Sequence, residues 1–465
     1  AAELGSLGGG GEVTAEFVTP PYLQNVKPDG ITVMWEMNAA TDAVIQYGPD
    51  ANHGMEATAT GTASGAGTTI YKGVLTGLEP GATYHYRVSA GPTTSGNGTF
   101  TTAPDGPEDF AFAVWGDSQG TNHGAYEADP YEPTKSMFRH MAAHGVDFAV
   151  GVGDLAENGA SYGDVRQYYL DRAALLLGPT VPWFVAWGNH DQGSSAVIRR
   201  FNDLPSQDRP GFSPGYGSYS FDFAGCHFIC IDHASRASDI ANWLETDLKS
   251  EANQAARFTF LFIHVPPYCE LWIDGDAGLR TSLVPLMERY GVDVCFSGHT
   301  HEYSRGYLNG VHYCITGGGS WLDTPELLVR SWEHMTVGGY HPVVGLPAPP
   351  PGHGGGLINE YVRVEVTGNT FHASMEAFEA DGKAMGAYDR FSKSLELPRI
   401  VRIERTPEGL RLEWTGMSGP CQVQFSPGLA PGSWADIGEP VDSTQAETTL
   451  PLDGPAGFYR VRSAD

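Results

Sequence analysis

The chain has 465 residues, 60 of them glycine and 32 proline, with 41% hydrophobic content and a formal charge of -28 from 55 acidic against 27 basic residues. That length is too great for one hydrophobic core, and the scattered turn formers exclude a helical bundle in favour of a β-rich chain of several domains. The negative charge opposes binding to nucleic acid and to anionic membrane surfaces, and no run approaches the roughly eighteen apolar residues of a membrane span, so neither nucleic-acid binding nor membrane insertion is expected.

The opening Ala1-Ala2-Glu3, leading into Gly8 to Gly11, fits a chain from which a signal peptide has been removed, and a secreted or periplasmic location is expected. From Phe17 to about Ala103, apolar and polar residues alternate, as in Ile31-Thr32-Val33-Met34-Trp35 and Tyr84-His85-Tyr86-Arg87-Val88. Turn signals at Asp29-Gly30, Pro49-Asp50, Glu79-Pro80-Gly81 and Asn97-Gly98 break the runs, which predicts a β-sandwich of fibronectin type III character over 14–104.

Beyond Ala103-Pro104-Asp105-Gly106-Pro107 the rhythm becomes strand then helix. Phe110 to Trp115 reads as a strand, Thr134 to His144 as a helix with Met137, Phe138 and Met141 on one face, and Val146 to Val152 as the next strand. Asp164 to Leu177 and Val181 to Trp187 continue the alternation. So do a helix marked by Ile240, Trp243, Leu244 and Leu248, the strand Phe258 to Ile263, and the pair Leu283 to Tyr290 and Val292 to Phe296. Hairpins around Ala224-Gly225 and Asn309-Gly310 make the sheets mixed. Residues 338 to 356 read as a long loop, 107–393 as one layered region, and 397–465 as a small C-terminal β-sandwich. Cys226, Cys230, Cys295 and Cys314 lie in apolar runs and read as buried thiols, with one oxidised pair left open.

Five of the strands run into candidate ligands. Phe110 to Trp115 ends in Gly116-Asp117-Ser118-Gln119, Val146 to Val152 in Gly153-Asp154, and Val181 to Trp187 in Gly188-Asn189-His190-Asp191. Phe258 to Ile263 ends in His264, and Val292 to Phe296 in Ser297-Gly298-His299-Thr300-His301. One Asp after a strand says little, but ligand sites gather at the carboxyl ends of strands, and five such ends in succession point to a metal centre. Adjacent glycines remove Cβ bulk so that the ligands can converge. Carboxylate, amide oxygen and imidazole together suit Fe, Mn, Zn or Mg, and two metals sharing a carboxylate suit phosphoryl transfer to water.

Through the runs GDSQ, GDLAEN, GNHD, the His of HVPP, and GHTHEYSR, the sequence resembles the calcineurin-like metallophosphoesterase superfamily, most nearly its purple acid phosphatase branch. Pro21-Tyr22-Leu23-Gln24, Val33-Met34-Trp35, Tyr47-Gly48 and Leu78-Glu79-Pro80 extend the likeness to the N-terminal sandwich of those enzymes. The resemblance implies an α+β metallophosphoesterase fold of two mixed β-sheets packed as a sandwich and flanked by helices, with N-terminal and C-terminal β-sandwich domains. It implies a pair of divalent or mixed-valence metal ions bridged by Asp154, one held also by Asp117 and His301, the other by Asn189, His264 and His299. His190, oriented by Asp191, is then the group that stabilises or protonates the leaving oxygen.

Two positions depart from the family pattern. Gln119 stands where the wider superfamily has His, and either coordinates through its amide oxygen or does not coordinate. Glu157 stands where purple acid phosphatases have Tyr, and either replaces that ligand or hydrogen-bonds to one; no tyrosinate-to-ferric colour is expected. His123, His233 and Arg305 lie near the motifs and read as structural or solvated, as do His312, His334, His341 and His353. The expected substrate is a small phosphorylated compound, most readily a phosphomonoester. The alternatives are a phosphodiesterase acting on small diesters and a catalytically weakened surface-binding scaffold.

Overall fold

The computed structural model of the chain describes residues 14–120, 131–193, 196–205, 217–232, 234–323, 329, 331–338, 358–395, 399–407, 409–415, 421–428, 434–441, 447–450 and 457–463. His123, His233, His341, His353 and nearly all of the expected loop at 338 to 356 lie outside the described residues. Residues up to Ser392 form one compact unit, and those from Lys393 onward a second.

Two large mixed sheets make the body of the first unit. In a ten-stranded sheet, Phe110–Trp115, Phe148–Gly151 and Trp183–Val185 run parallel at the centre, and Asn359–Thr367 pairs antiparallel with the first of them. In a seven-stranded sheet, Cys226–Ile231, Thr259–Ile263, Val294–Ser297 and Val311–Thr316 run parallel, with the hairpins Tyr219–Phe223 to Cys226–Ile231 and Tyr303–Leu308 to Val311–Thr316 at the flanks. Both hairpins were expected from their turn sequences, and both turns have the positive backbone φ that such turns demand, at Ala224-Gly225 and Asn309-Gly310.

The alternation along the strands sorts side chains into two cores. Phe112 meets Phe228 at 5.3 Å and Phe260 at 5.0 Å between ring centroids, and Phe148 meets Phe228 at 5.2 Å, so the sheets are joined face to face by an aromatic layer. Trp115 and Ala113, on the opposite face, pack instead against Met137, Phe138 and Met141 of the helix Glu132–Ala143. The outer face of the second sheet is covered by Ile240, Trp243 and Leu244 of the helix Ala237–Leu248 and by Met287 of Val284–Tyr290. The order is therefore helix, sheet, sheet, helix, as the resemblance implied. The helix expected over 164–177 is real but begins as a short α-turn, Tyr162–Asp164, and continues as a π-helix, Val165–Ala174.

One expectation changes in form. The N-terminal strands Phe17–Lys27, Gly30–Met37, Thr69–Thr76 and Thr60–Ala63 extend the ten-stranded sheet through a parallel bridge from Gln24 to Trp183. Tyr22 stacks on Trp183 at 5.4 Å and donates to Phe201 O at 2.8 Å. Ala43–Gly48, Met55–Thr58, Thr83–Ala90, Thr93–Thr94 and Gly98–Thr101 form a separate five-stranded sheet, so the N-terminal part is the expected β-sandwich, with one of its two sheets continuous with the central sheet. The second unit contains two three-stranded sheets closed around Leu412, Trp414, Cys421, Val423 and Val461. All six cysteines are free and buried, which settles the thiol alternative in favour of no disulfide.

Candidate metal centre

All five motif-bearing strands end on the same side, and the turns that follow converge. Asp117, Asp154 and His299 each hold a positive φ, at 53°, 51° and 72°. Non-glycine residues seldom adopt this region, and the strain persists only where surrounding contacts fix it. Here backbone amides make the contacts: Asp117 N donates to Gly153 O at 3.0 Å, and His299 N donates to both carboxylate oxygens of Asp117 at 3.0 and 2.9 Å. Glycine is required beside them, because a Cβ on Gly188 would strike the Asp154 carboxylate and one on Gly298 the Asp117 carboxylate.

The side chains fall into two groups around Asp154. In the first, His264 Nε2 lies 3.2 Å from Asp154 Oδ2, 3.1 Å from Asn189 Oδ1 and 3.3 Å from His299 Nδ1. In the second, His301 Nε2 lies 3.5 Å from Asp117 Oδ1 and 3.3 Å from the Gln119 amide. The partners fix how that amide is turned: its nitrogen donates to Asp117 O at 3.1 Å and Asp154 O at 2.7 Å, which leaves its oxygen facing His301. Asp117, Asp154, His264 and His301 are all buried.

The histidines are held in one tautomer by main-chain carbonyls. His264 Nδ1–H donates to Val152 O at 2.8 Å and His301 Nδ1–H to Trp321 O at 3.0 Å, so the Nε2 lone pair of each points into the cluster. His190 makes the same kind of bond, Nδ1–H to Glu157 O at 2.8 Å, and its Nε2 lies 4.0 Å from Asp154 Oδ2.

The comparisons with known proteins fit this geometry. The profile of the calcineurin-like phosphoesterases matches residues 110–303, and that of the purple acid phosphatase N-terminal domain matches residues 20–102. The chain carries a calcineurin-like phosphoesterase domain behind a purple acid phosphatase N-terminal domain. Among relatives, purple acid phosphatase 18 of Arabidopsis thaliana is 29% identical over 51% of this chain and 53% of its own length. Acid phosphatase type 7 of Mus musculus is 28% identical over 70% and 78%. The chain thus spans only about half the length of several plant relatives it matches. Among solved structures, a purple acid phosphatase from yellow lupin superposes with a TM-score of 0.62 at 17% identity, covering 80% of this chain and 74% of that one. PhoD does so at 0.58 and 13%, covering 94% of each. At those identities the likeness is one of fold.

Within the phosphoesterase domain, the electrostatics match a site built for cations. Burial raises the Asp117 carboxyl well above the usual range, and the Asp154 charge adds to this. Burial also opposes ionisation of Asp154, but the His264 charge beside it wins and holds that carboxyl below its ordinary value. His264, against desolvation, is pushed up to about 9 by the facing Asp154 carboxylate. With Nδ1–H already committed, a second proton at Nε2 serves only one of three neighbouring donor atoms. A metal ion serves all of them, since donors about 2.0–2.2 Å from one ion lie roughly 3.0–3.5 Å apart. Among the described residues, Asp154, His264 and His299 are the one group of ligand atoms mutually within 4.8 Å.

One assignment made from sequence changes. Asp191 does not orient His190: its buried carboxylate accepts from the amides of Gly188, Asp154 and Leu155, each at 2.9 Å, and so ties two ligand-bearing strand ends together. Desolvation raises it to about 6. Arg305 and His312 are structural, as read from sequence: Arg305 is paired with Asp389 at 2.6 Å and lies over Phe391, and His312 packs against Phe391. Glu157 places its carboxylate 3.8 Å from His190 Nδ1. Sequence reasoning missed Arg172, a fully buried guanidinium on the π-helix that donates to Ser118 O at 2.6 Å and Gly120 O at 2.8 Å and so clamps the loop carrying Asp117 and Gln119. It also missed Asp323, which accepts from His301 N at 2.8 Å. An arginine inside an otherwise buried helix face was the one available signal for the former.

Proposed function

We propose that this chain is a metal-dependent phosphoesterase that hydrolyses phosphomonoesters at a pair of metal ions. His264 carries the reading. Its fixed tautomer and three converging donor atoms make a cation seat, beside which Asp117, His301 and Gln119 form a second group, and Asp154 is the carboxylate assigned to bridge the two. Metal ions held there, Fe, Mn, Zn or Mg, supply an activated water and offset charge on the phosphoryl oxygens.

The protein's own groups do the rest. His190 N donates to Asp154 Oδ1 at 2.8 Å, which leaves Oδ2 turned toward His264. The His190 ring, anchored through Nδ1–H and partly exposed, presents Nε2 at the mouth of the site, where a proton can pass to the leaving oxygen. That relatives are named acid phosphatases supports the monoester reading over the diester one. A secreted or periplasmic location is part of the same proposal, checked by fractionating the producing cells.

Initial rates on p-nitrophenyl phosphate and on its bis-ester, after loading with each metal in turn, test the reading. Faster monoester turnover supports it. Faster bis-ester turnover makes the enzyme a phosphodiesterase, and no turnover of either under any metal leaves a binding scaffold.

A further inference from the structure

After His264 the chain runs through a loop to the helix Ala277–Ser282, and one residue of that loop is placed unlike its neighbours. Ile273 N donates to Leu271 O at 2.7 Å, closing a three-residue turn whose central residue, Trp272, has a φ of 64°. Turns of this hand are rare and strained, more so around a bulky side chain. His299 sits at the centre of a second such turn, closed by Thr300 N to Gly298 O at 2.9 Å. The two turns bring the indole and the metal-site imidazole to 4.8 Å between centroids, with ring planes 31° apart.

The loop does not need the indole in order to fold. Leu271 is fully buried against Cys269 and Ile315, and Ile273 packs on the same cluster. Asp276 N donates to Pro266 O at 3.0 Å, and the Arg280 guanidinium donates to Pro267 O and Asp274 O at 2.7 and 2.6 Å. With residues on both sides anchored inward, Trp272 is pushed out at the apex, 50% exposed. A lone exposed aromatic is ordinary. One held in a strained turn, at the rim of a metal site, with its loop pinned by other residues, is not. Trp321, the other indole near the centre, differs: it lies 3.8 Å from the His301 ring, and its carbonyl fixes that ring.

We infer that Trp272 is the wall on which the alcohol side of the substrate stacks, so that the site favours phosphate esters whose ester oxygen is borne directly by a planar aromatic ring. An aromatic face rewards a flat ring more than an alkyl chain. The closeness of the indole to His299, 4.8 Å between centroids, favours a ring joined to phosphorus through a short link over one at the end of a chain. The inference rests on the phosphoesterase reading above and adds the substrate class to it.

Titration calorimetry on metal-loaded full-length protein, with phenylphosphonate and ethylphosphonate as probes, tests it without turnover. The wild type is expected to prefer the phenyl compound. Trp272→Ala is expected to reduce that preference about tenfold, equivalent to ~1.4 kcal/mol, whereas Trp272→Phe keeps most of it, with metal content equal in all three. An unchanged preference in Trp272→Ala, or equal weakening of both probes together with lost metal, overturns the inference and leaves Trp272 as a support for His299. Failure of the wild type to bind either probe overturns the phosphoesterase reading and this assignment with it.

Discussion

At the scale of the residue, the centre is a set of positions whose main chain is strained and whose side chains are tied. Asp191 shows how much of that depends on buried carboxylates outside the ligand set. Its three accepted amide bonds hold the ends of two strands, and Asp191→Ala leaves three buried N–H groups without partners at roughly 1–3 kcal/mol each. The expected outcome is a lower Tm and metal affinity reduced about 10–100-fold, read by calorimetry. Asp191→Asn, which keeps an acceptor, is expected to fall between the two. His190→Ala makes the opposite prediction: full metal content by elemental analysis, with kcat on p-nitrophenyl phosphate lowered about 10²–10⁴-fold. Loss of metal from that variant would move His190 into the ligand set. The candidate ligands themselves were legible in the sequence because each lies at or just beyond the end of a strand, and Asp117, Asp154, Asn189 and His299 directly follow a glycine. The job of Asp191 was not, because an Asp next to a His looks like its orienting partner until the backbone shows which donors it faces.

At the scale of the element, the π-helix and a flanking hairpin each carry a buried charge with a definite task. Arg172 reaches from the π-helix to the loop after Phe110–Trp115, and Arg172→Met is expected to loosen the Asp117, Gln119 and His301 group while sparing the one around His264. Metal titration then shows one weakened and one preserved binding step. His227 bridges its own hairpin and the helix Ala237–Leu248, with Asp222 Oδ1 at 2.7 Å and Asp247 Oδ2 at 2.8 Å. Burial works against its charge, but the two carboxylates win and raise it to about 9. A histidine raised on folding stabilises fully below its unfolded value of ~6.5, and the contribution, on the order of 3 kcal/mol, is lost as pH rises from there through about 9. Urea unfolding of the wild type against His227→Gln between pH 6 and 10 is expected to show a difference that shrinks across that window. The strand and helix periods along 110–297 were readable because each element buries one face. The widening of the helix over Val165–Ala174 was not, since its apolar spacing is compatible with an ordinary α-helix.

At the scale of the whole molecule, the expected N-terminal sandwich is present, but one of its sheets runs on into the central sheet. The turn-rich N-terminal region reads as a separate sandwich because its strands alternate and a proline-bearing linker follows. The pairing of Gln24 with Trp183, a long-range contact that no local pattern encodes, makes one of its two sheets an extension of the central sheet. Removing residues 1–104 exposes Trp183 and the edge of that sheet, so the shortened chain is expected to aggregate or unfold. A chain ending at Ser394 is expected to retain metal and activity, because the unit beginning at Lys393 closes its own core. The account as a whole turns on the pair of cations around Asp154, and elemental analysis of the purified protein after loading is the measurement that tests it most directly. About two ions per chain in the wild type, falling to one or none in Asp154→Ala with loss of phosphomonoester hydrolysis, is the predicted result. Fewer than about one ion per chain in the wild type, under every metal tried, would contradict it.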